Sequence, residues 1–297
     1  MKTLKAAISA GADAVYLGAN KFSARAFAGN FDCHELNDAI EYATRFGVKT
    51  YIAINTLITD REMSDALDIA SKAYNAGAAA FIVQDLGFGE NLMQSIPNAV
   101  LHASTQMTAC TAKDVSTLAT LGFKRVVLAR ELSCEDILKI SANTEIELEV
   151  FVHGALCSSY SGQCLMSSFI GGRSANRGKC AAPCRLSYKS AKKSGTLLSM
   201  KDLCLIDYIG KLSGMGISSL KIEGRMKGAD YVRTVVKTYR TVLDGAKLSE
   251  KQKLNLLNVF NRGGYTDGYF SGNGTMYTDV LKNPYKKTRR KGRENAD

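Results

Sequence analysis

The sequence predicts an α/β fold with a mostly parallel sheet, of the (β/α)8 TIM-type barrel class. Short apolar segments alternate with segments of helical periodicity along most of the 297 residues, and repeated β–α units imply a parallel sheet. The apolar segments are rich in Val, Ile and Leu without strict alternation, which is typical of strands covered on both faces. The chain length also suits one such barrel, which commonly has about 250 residues.

Strands and helices are predicted in alternation. The strands lie at residues 13–17, 49–55, 80–84, 99–103, 125–129, 145–153 and 219–223. The helices lie at residues 2–9, 36–46, 61–76, 111–121, 135–142, 203–215 and 230–243. Because the chain opens with a helix, we expect the barrel to lack the first of its eight strands. An open doubly wound sheet is the alternative, although no GxGxxG turn follows an early strand to favour a dinucleotide-binding fold.

One barrel domain is expected at residues 1–247. A Cys-rich loop, residues 154–204, is inserted in it after the strand that ends near His153. Residues 248–281 are interpreted as a C-terminal appendage and residues 282–297 as a basic tail. The tail carries seven Lys or Arg residues against two acidic ones, so it is suited to contact phosphates, and a solvated, disordered end is the alternative.

The composition is that of a soluble globular protein, with a net charge of +11. No segment approaches the roughly 20 apolar residues of a membrane-spanning helix. The N-terminal segment also lacks the apolar core of a secretory signal peptide. We therefore expect a cytoplasmic protein with no membrane partner, in which the eight cysteines are free thiols or metal ligands rather than disulfides.

Polar side chains are predicted to meet where the strands end. Active sites of such barrels lie at the C-terminal ends of the strands. The polar residues at those positions are Asn55, Gln84, Asp85, Ser104, Gln106, Arg130, Glu131, His153, Glu223 and Arg225. Any one of them is more often a structural hydrogen-bonding residue than a catalyst, so the prediction of an active site depends on their convergence.

Five of the eight cysteines lie in one segment, at Cys157, Cys164, Cys180, Cys184 and Cys204. Zinc prefers two close pairs of ligands, and only Cys180 and Cys184 form such a pair. An iron–sulfur cluster accepts irregular spacing, because the cluster itself spans the distance between thiolates. Unligated buried thiols are the third alternative.

The segment EVFVHGALCSSYSGQCLMS, residues 149–167, resembles the signature of the peptidase U32 family. The matching residues are Glu149, Phe151, Gly154, Ala155, Cys157, Gly162, Cys164 and Ser167. The similarity extends through segments such as HASTQMT, GKCAAPCR, SMKDLC and SLKIEGRMK, and so covers nearly the whole chain. Members of the family usually begin with a strand of the type ELLAPAG, which agrees with the first strand expected to be missing here.

The resemblance implies functions that differ from the family's name. The family was first described as collagenase-like proteases, and other members act in the hydroxylation of a tRNA wobble uridine, a 23S rRNA cytidine or ubiquinone precursors. Several hold a [4Fe–4S] cluster on four cysteines. By position, Cys157, Cys164 and Cys180 match three of these ligands. Cys204 matches the fourth in one branch and Cys184 the fourth in another, and we expect Cys204.

The expected activity is iron–sulfur-dependent hydroxylation at C5 of a pyrimidine in tRNA or 23S rRNA, with RNA as the partner. A small carboxylate, prephenate among the candidates, would be the hydroxyl donor. The residues expected to be catalytic are Glu149, His153, Glu223 and Arg130. The residues expected to bind substrate or donor are Asn55, Gln106, Arg173, Arg177 and Arg225.

Two other functions stay open at this point. A peptidase would need clustered histidines or a cysteine activated by a histidine, and of the three histidines only His153 is near a clustered cysteine, Cys157. The chain also contains no GxSxG segment. The other alternative is a non-catalytic iron–sulfur scaffold, against which the polar residues at the strand ends argue.

Overall fold

The structure, a computed structural model, describes residues 1–26 and 28–278, in which helices and strands alternate. The helices are α1 (Lys2–Ser9), α2 (Cys33–Arg45), α3 (Asp60–Asn75), α4 (Leu86–Ser95), α5 (Ala112–Thr120), α6 (Cys134–Ser141), α7 (Met166–Gly171), α8 (Ile209–Gly214), α9 (Ala229–Leu243), α10 (Glu250–Asn258) and α11 (Gly268–Ser271). The strands are β1 (Ala14–Gly18), β2 (Lys49–Ile54), β3 (Ala80–Val83), β4 (Leu101–Ala103), β5 (Arg125–Val127), β6 (Glu147–Ala155), β7 (Tyr188–Lys189), β8 (Ser194–Gly195), β9 (Asp202–Cys204), β10 (Ser219–Ile222) and β11 (Tyr265–Thr266). None of these helices has the length and apolar content needed to cross a membrane.

The centre of the fold is a parallel sheet. Strands β1 to β6 pair with one another in chain order, and β10 pairs with β6, in every case parallel. This confirms the predicted α/β fold with a mostly parallel sheet. The sheet is not closed into a complete barrel, because no strand pairing within residues 1–26 and 28–278 joins β1 to β10.

Side chains connect the two edge strands β1 and β10. The Tyr16 hydroxyl donates to Glu223 Oε1 at 3.1 Å and lies 3.4 Å from the carbonyl oxygen of Ile222. On the outside, Arg240 of α9 pairs with Asp13, which precedes β1. A cavity of about 720 Å³ lies between the two strands. In the described part of the chain, β1 and β10 are therefore connected by side chains and not by backbone hydrogen bonds between the two strands.

Both faces of the sheet are buried. Ile52 and Ile54 of β2 pack in the main core with the helices, whereas Tyr51 and Ala53 pack in a separate cluster on the inner face. Successive residues of a strand point to opposite faces, so β2 alternates between two apolar environments. This explains why the strand sequences are apolar without alternation. Asn55 follows Ala53 by two residues and continues the inner face towards the end of the strand.

Several elements were not predicted from the sequence, among them β9 and α4. Residues 203–215 were expected to form one helix, but Asp202–Cys204 form β9 and the helix begins only at Ile209. Helix α4 was not predicted, because Gly87 and Gly89 weaken its helical pattern. Its start is nevertheless fixed by Asp85, whose side chain accepts a hydrogen bond from the N–H of Phe88 at 2.9 Å.

The C-terminal elements extend the sheet. Strand β9 pairs antiparallel with the C-terminal end of β6, which places Cys204 opposite His153. Strand β11 then pairs parallel with β9. The described part of the predicted appendage, residues 248–278, thus contributes one strand to the central sheet. The predicted basic tail, residues 282–297, lies outside the described residues.

Candidate functional site

A cavity of about 150 Å³ lies at the C-terminal ends of the strands. Polar residues that follow different strands line it, as the sequence predicted. The predicted site residues around it are Asn55, Gln106, Arg130, Cys157, Cys164, Cys180, Cys184, Glu223 and Arg225. The fold therefore brings most of the polar strand-end residues to the same place as four of the five clustered cysteines. We call this space the strand-end cavity.

The cysteine segment, residues 154–204, packs tightly against the strand ends through two glycines. A Cβ atom on Gly162 would lie 2.2 Å from the carbonyl oxygen of Gln106, and one on Gly178 would lie 2.2 Å from that of Ser23. Their φ angles are 78° and 75°, which disfavour any side chain. The two glycines thus allow the segment to reach the loops that follow β1 and β4.

Four cysteines of this segment line the strand-end cavity. Desolvation raises the pKa of the Cys157 thiol, and the neighbouring Cys184 and Cys164 raise that pKa further. The Cys180 sulfur accepts a hydrogen bond from the N–H of Ala182 at 3.3 Å. No three His, Cys, Asp or Glu side chains within residues 1–26 and 28–278 are close enough to hold a single metal ion. The thiols therefore share a cavity without forming a preassembled site for one ion.

His153 lies outside this cavity because β6 is irregular. Strict alternation would place it on the inner face with Glu149 and Phe151. The register with β10 shifts after Phe151: Lys221 is the partner of Phe151, but the next residue, Ile222, is the partner of His153. Strand β6 therefore has one extra residue at this point. Such a bulge moves the following side chain to the other face. His153 therefore points outwards, away from the predicted site.

The outer face also holds Cys204. Its sulfur lies 3.8 Å from the hydroxyl of Tyr239 on α9, and it does not line the strand-end cavity. The same hydroxyl donates to the carbonyl of Val152 at 2.8 Å and lies 3.2 Å from His153 Nδ1. Burial lowers the pKa of His153 to about 3, with a further contribution from Lys227. His153 is thus a neutral packing residue here, and no histidine is among the described residues around the cavity.

Glu223 is the centre of the charged group at the cavity. Its Oε2 atom lies 3.3 Å from Arg25 and 3.2 Å from Arg130, and its Oε1 atom accepts from Tyr16. Burial alone would raise the pKa of Glu223, but Arg25, Arg130 and Arg225 hold that pKa well below its usual range. Glu223 therefore stays ionised and cannot act as a general acid near neutral pH.

Two guanidinium groups at the cavity have buried N–H groups without a partner in the described structure, Arg130 Nε and Arg225 Nε. Arg130 otherwise donates to the Ala155 carbonyl and stacks over the ring of Phe151 at 3.6 Å. Arg225 donates to the Ser23 hydroxyl at 2.7 Å. The guanidinium groups of both residues line the cavity, so their positive charge is suited to attract an anion that enters it.

Arg25 is a site residue that the sequence analysis did not include. It lies in the loop after β1, lines the cavity and pairs with Glu223. The loop after a barrel strand is at the catalytic face, so its position after the first predicted strand was a usable signal. The preceding residue, Ala24, donates its N–H to Asn55 Oδ1 at 3.0 Å, which fixes this loop on the strand ends.

Glu149 lies deeper on the inner face and does not line the strand-end cavity. Its carboxylate pairs with Lys221 at 2.5 Å and Arg125 at 3.1 Å, and accepts from the Ser219 hydroxyl at 2.8 Å. Burial alone would raise its pKa, but Lys221 and Arg125 outweigh this and lower the pKa to about 2. Its partners are those of a structural ion pair that holds β5, β6 and β10 together.

Two arginines expected at the site lie beside it. Arg177 forms a two-point ion pair with Glu62, with distances of 2.9 and 2.5 Å. The Nε atom of Arg173 donates to the carbonyl of Lys179 at 3.1 Å. Neither lines the strand-end cavity. Gln106 does line it, and its N–H donates to the Ser104 hydroxyl at 3.2 Å.

The fold and site define an α/β protein whose cysteines and arginines converge at the carboxyl ends of parallel strands. A sequence model described as "Peptidase family U32" matches residues 1–278. The chain therefore belongs to peptidase family U32. The solved structure of the U32 peptidase Mk0906 is similar over 50% of this chain and 63% of that peptidase's chain, with 14% identity and a TM-score of 0.43.

Curated relatives carry names of two kinds. The tRNA hydroxylation protein P1 of Bacillus subtilis is 38% identical over 257 residues, which are 82% of this chain and 61% of the relative. The 23S rRNA 5-hydroxycytidine C2501 synthase of Escherichia coli is 41% identical over 245 residues, or 80% of this chain and 37% of the relative. The uncharacterized protease MJ0090 of Methanocaldococcus jannaschii is 40% identical over 308 residues, or 94% of this chain and 72% of the relative. The chain thus spans less than two thirds of the first two relatives.

Proposed function

We propose that this chain acts in the cytoplasm in iron–sulfur-dependent hydroxylation at C5 of a pyrimidine in tRNA or 23S rRNA. One observation carries the proposal: a single cavity is lined both by four cysteines and by three arginines, Arg25, Arg130 and Arg225. The names of the relatives from Bacillus subtilis and Escherichia coli support RNA as the substrate.

The proposed cluster ligands are Cys157, Cys164, Cys180 and Cys184. Thiolates are the usual ligands of iron–sulfur clusters, and the cluster spans the distance between them, so the spacing of a single-ion site is not required. Cys184 is preferred to Cys204, which the sequence had favoured, because Cys184 lines the cavity and Cys204 packs behind β6. Bound there, the cluster would supply electron transfer.

Positive charge near the cysteines supports a negatively charged cluster. Four thiolates would add negative charge to the cavity, and an opposite charge nearby stabilises the ionised form of a thiol. Arg25 lies close enough to Cys180 and Cys157 for their thiolates to raise its pKa. Arg185 donates to the Leu156 carbonyl at 2.7 Å. Burial lowers the pKa of Arg185, and a thiolate at Cys184 would oppose this and stabilise the charged guanidinium.

The proposed hydroxyl donor is a small carboxylate of the prephenate type. Its carboxylate would pair with the guanidinium groups of Arg130 and Arg225, which line the cavity. Glu223 keeps the guanidinium of Arg130 in place through a second nitrogen, Nη2. Arg130 and Arg225 are thus proposed to bind the donor, and Glu223 to position Arg130.

Two measurements test this function. Anaerobic purification should give a coloured protein that absorbs near about 400 nm and contains iron; a colourless protein without iron would exclude the cluster. RNA from a deletion strain of the native host should lack a 5-hydroxypyrimidine by mass spectrometry, and the wild-type gene should restore it. RNA that is unchanged by the deletion would exclude the function.

A matched variant separates an enzyme from a scaffold. Arg130→Ala leaves all four proposed ligands in place, so we expect it to keep its iron and yet fail to restore the modified base. Full restoration by this variant would indicate a non-catalytic iron–sulfur scaffold.

A further inference from the structure

Among the described residues, the largest positive contribution to the charge comes from the cysteine segment, residues 154–204. This segment contains eight Lys or Arg residues and a single acidic residue, Asp202, so it contributes +7 to the net charge of +11. Asp202 is buried and already paired with Arg262 at 2.9 Å. The exposed surface of the segment is therefore strongly basic, whereas residues 1–153 contain more acidic than basic side chains.

Exposed lysines of the segment lie mainly on the β7–β8 hairpin. Lys189 ends β7, and Lys192 and Lys193 precede β8. All three are exposed, and no carboxylate of the described structure pairs with any of them. Three free ammonium groups on one short hairpin form a surface suited to a polyanion.

Large apolar side chains also stand exposed in the same segment, at residues 160–170. Phe169 on α7 is 85% exposed, and Tyr160, which lines the strand-end cavity, is 70% exposed. Leu165 and Ile170 are also exposed. A single exposed apolar residue needs no explanation, but a group of them within eleven residues indicates a contact surface.

Helix α7 holds Phe169 in a fixed place relative to the cysteines. Its buried residue Ser167 accepts a hydrogen bond from the N–H of Ala181 at 3.0 Å, and its hydroxyl lies 3.8 Å from the sulfur of Cys180. Met166, at the start of the same helix, lines the strand-end cavity. The exposed ring of Phe169 is therefore carried by an element that is attached to the cavity on its other side.

We propose that residues 160–193 form the RNA-binding surface of this protein and that it takes a single-stranded RNA loop. Phe169 and Tyr160 stack on unpaired bases that flank the target, and Lys189, Lys192 and Lys193 contact the phosphates. The choice of RNA rests on the proposed function. Aromatic side chains stack on splayed bases, which a duplex does not offer, and a base must leave its stack to enter a recessed cavity.

The stacking part is tested by RNA binding without any modification chemistry. The probe is a fluorescent, unstructured RNA of about 16 nucleotides, compared by anisotropy with a duplex of the same sequence. Phe169→Ala should weaken binding of the single strand about 5- to 150-fold, the loss of one stacked base. Phe46→Ala is the control, because Phe46 is also exposed but follows α2, at the opposite end of the strands.

The lysine part is tested by the salt dependence of the same binding. Changing Lys189, Lys192 and Lys193 together to Gln should reduce the slope of log K against log salt by about 2, or about 0.7 for each lost phosphate contact. The control changes Lys49, Lys124 and Lys211 to Gln, and all three lysines are exposed. Lys49 begins β2 and Lys124 directly precedes β5, so both lie at the N-terminal ends of the strands. This control should leave the slope unchanged.

The outcomes separate this surface from the proposed function. Equal binding of duplex and single strand by the wild-type protein, or unaltered binding by Phe169→Ala, would overturn the surface. The function would still stand if the deletion strain lost its 5-hydroxypyrimidine. Conversely, specific single-strand binding that depends on Phe169, with RNA unchanged in the deletion strain, would keep the surface and remove the hydroxylation.

Discussion

The carboxylate of Glu223 and the guanidinium of Arg130 form a buried ion pair, with 3.2 Å between Oε2 and Nη2. Arg25 contacts the same oxygen from the loop after β1. Since Arg130 follows β5 and Glu223 follows β10, the pair connects strand ends that are 93 residues apart in the chain. The orientation of the proposed donor-binding arginine thus depends on this carboxylate.

Glu223→Gln should destabilise the protein by about 3 kcal/mol, because it leaves Arg130 and Arg25 without their buried counter-charge. The measurement is the free energy of unfolding in urea. Glu147→Gln is the control: Glu147 also pairs with an arginine, Arg125, but is 54% exposed on its side chain, so its loss should cost below about 1 kcal/mol. Equal losses for the two variants would contradict the importance assigned to the Glu223 pair.

Arg225→Lys should weaken binding of the carboxylate donor about 10-fold or more, since a lysine lacks the planar guanidinium that pairs with a carboxylate at two points, and charged hydrogen bonds contribute about 1.5–3 kcal/mol. Calorimetric titration of the purified protein with prephenate measures this directly. Arg233→Lys on the exposed face of α9 is the control and should bind as the wild type. Equal binding of prephenate by the two variants would show that Arg225 does not bind the donor.

Cys184→Ser should abolish the absorbance near about 400 nm and the bound iron, whereas Cys204→Ser should keep both. The reason is placement, because Cys184 lines the strand-end cavity and Cys204 does not. Cys33→Ser, on α2, is a further control that should keep the iron. If Cys204→Ser lost its iron and Cys184→Ser did not, the sequence-based assignment of Cys204 would be the correct one, and the segment around β9 would have to rearrange to bring it there.

Stability should fall as the pH is lowered from 6.5 because two histidines are buried in the neutral form. Burial lowers the pKa of His153 and of His102 to about 3 from an ordinary value of 6.5. Between these values the unfolded chain binds the protons and the folded chain does not, so stability increases with pH at about 1.4 kcal/mol per unit for each histidine. Well above pH 6.5 both histidines are neutral in the folded and the unfolded chain, so their contribution to the free energy of unfolding no longer changes with pH.

His153→Gln should remove about half of that pH dependence, measured as the slope of the unfolding free energy between pH 6.5 and 5. His34→Gln is the control for replacing a histidine, because the His34 side chain is exposed on α2. Below its ordinary pKa of 4.5, Glu149 adds a loss of the same sign, because its folded pKa is about 2. A His153→Gln variant with the wild-type slope would show that His153 is accessible to protons in the folded protein.

The local pattern of the sequence was enough to predict the βα repeat, the strand positions and the polar residues at their ends. These features depend on near neighbours: a strand covered on both faces needs an unbroken apolar segment, and a helix needs its period and its caps. The concentration of cysteines after the longest strand is equally local. So is the signature around Cys157 and Cys164, from which the family could be inferred.

Only the tertiary structure decided which face each side chain takes and which distant residues meet. Alternation alone places His153 on the inner face, but one bulge in β6 turns it to the outer face. Cys204, which pairs with His153 across the two strands, lies on the outer face as well. Arg25 reached Glu223 from 198 residues away. Such contacts depend on register and on long-range packing, and a change of one residue in register exchanges the two faces of a strand. That information is not contained in any short segment of the sequence.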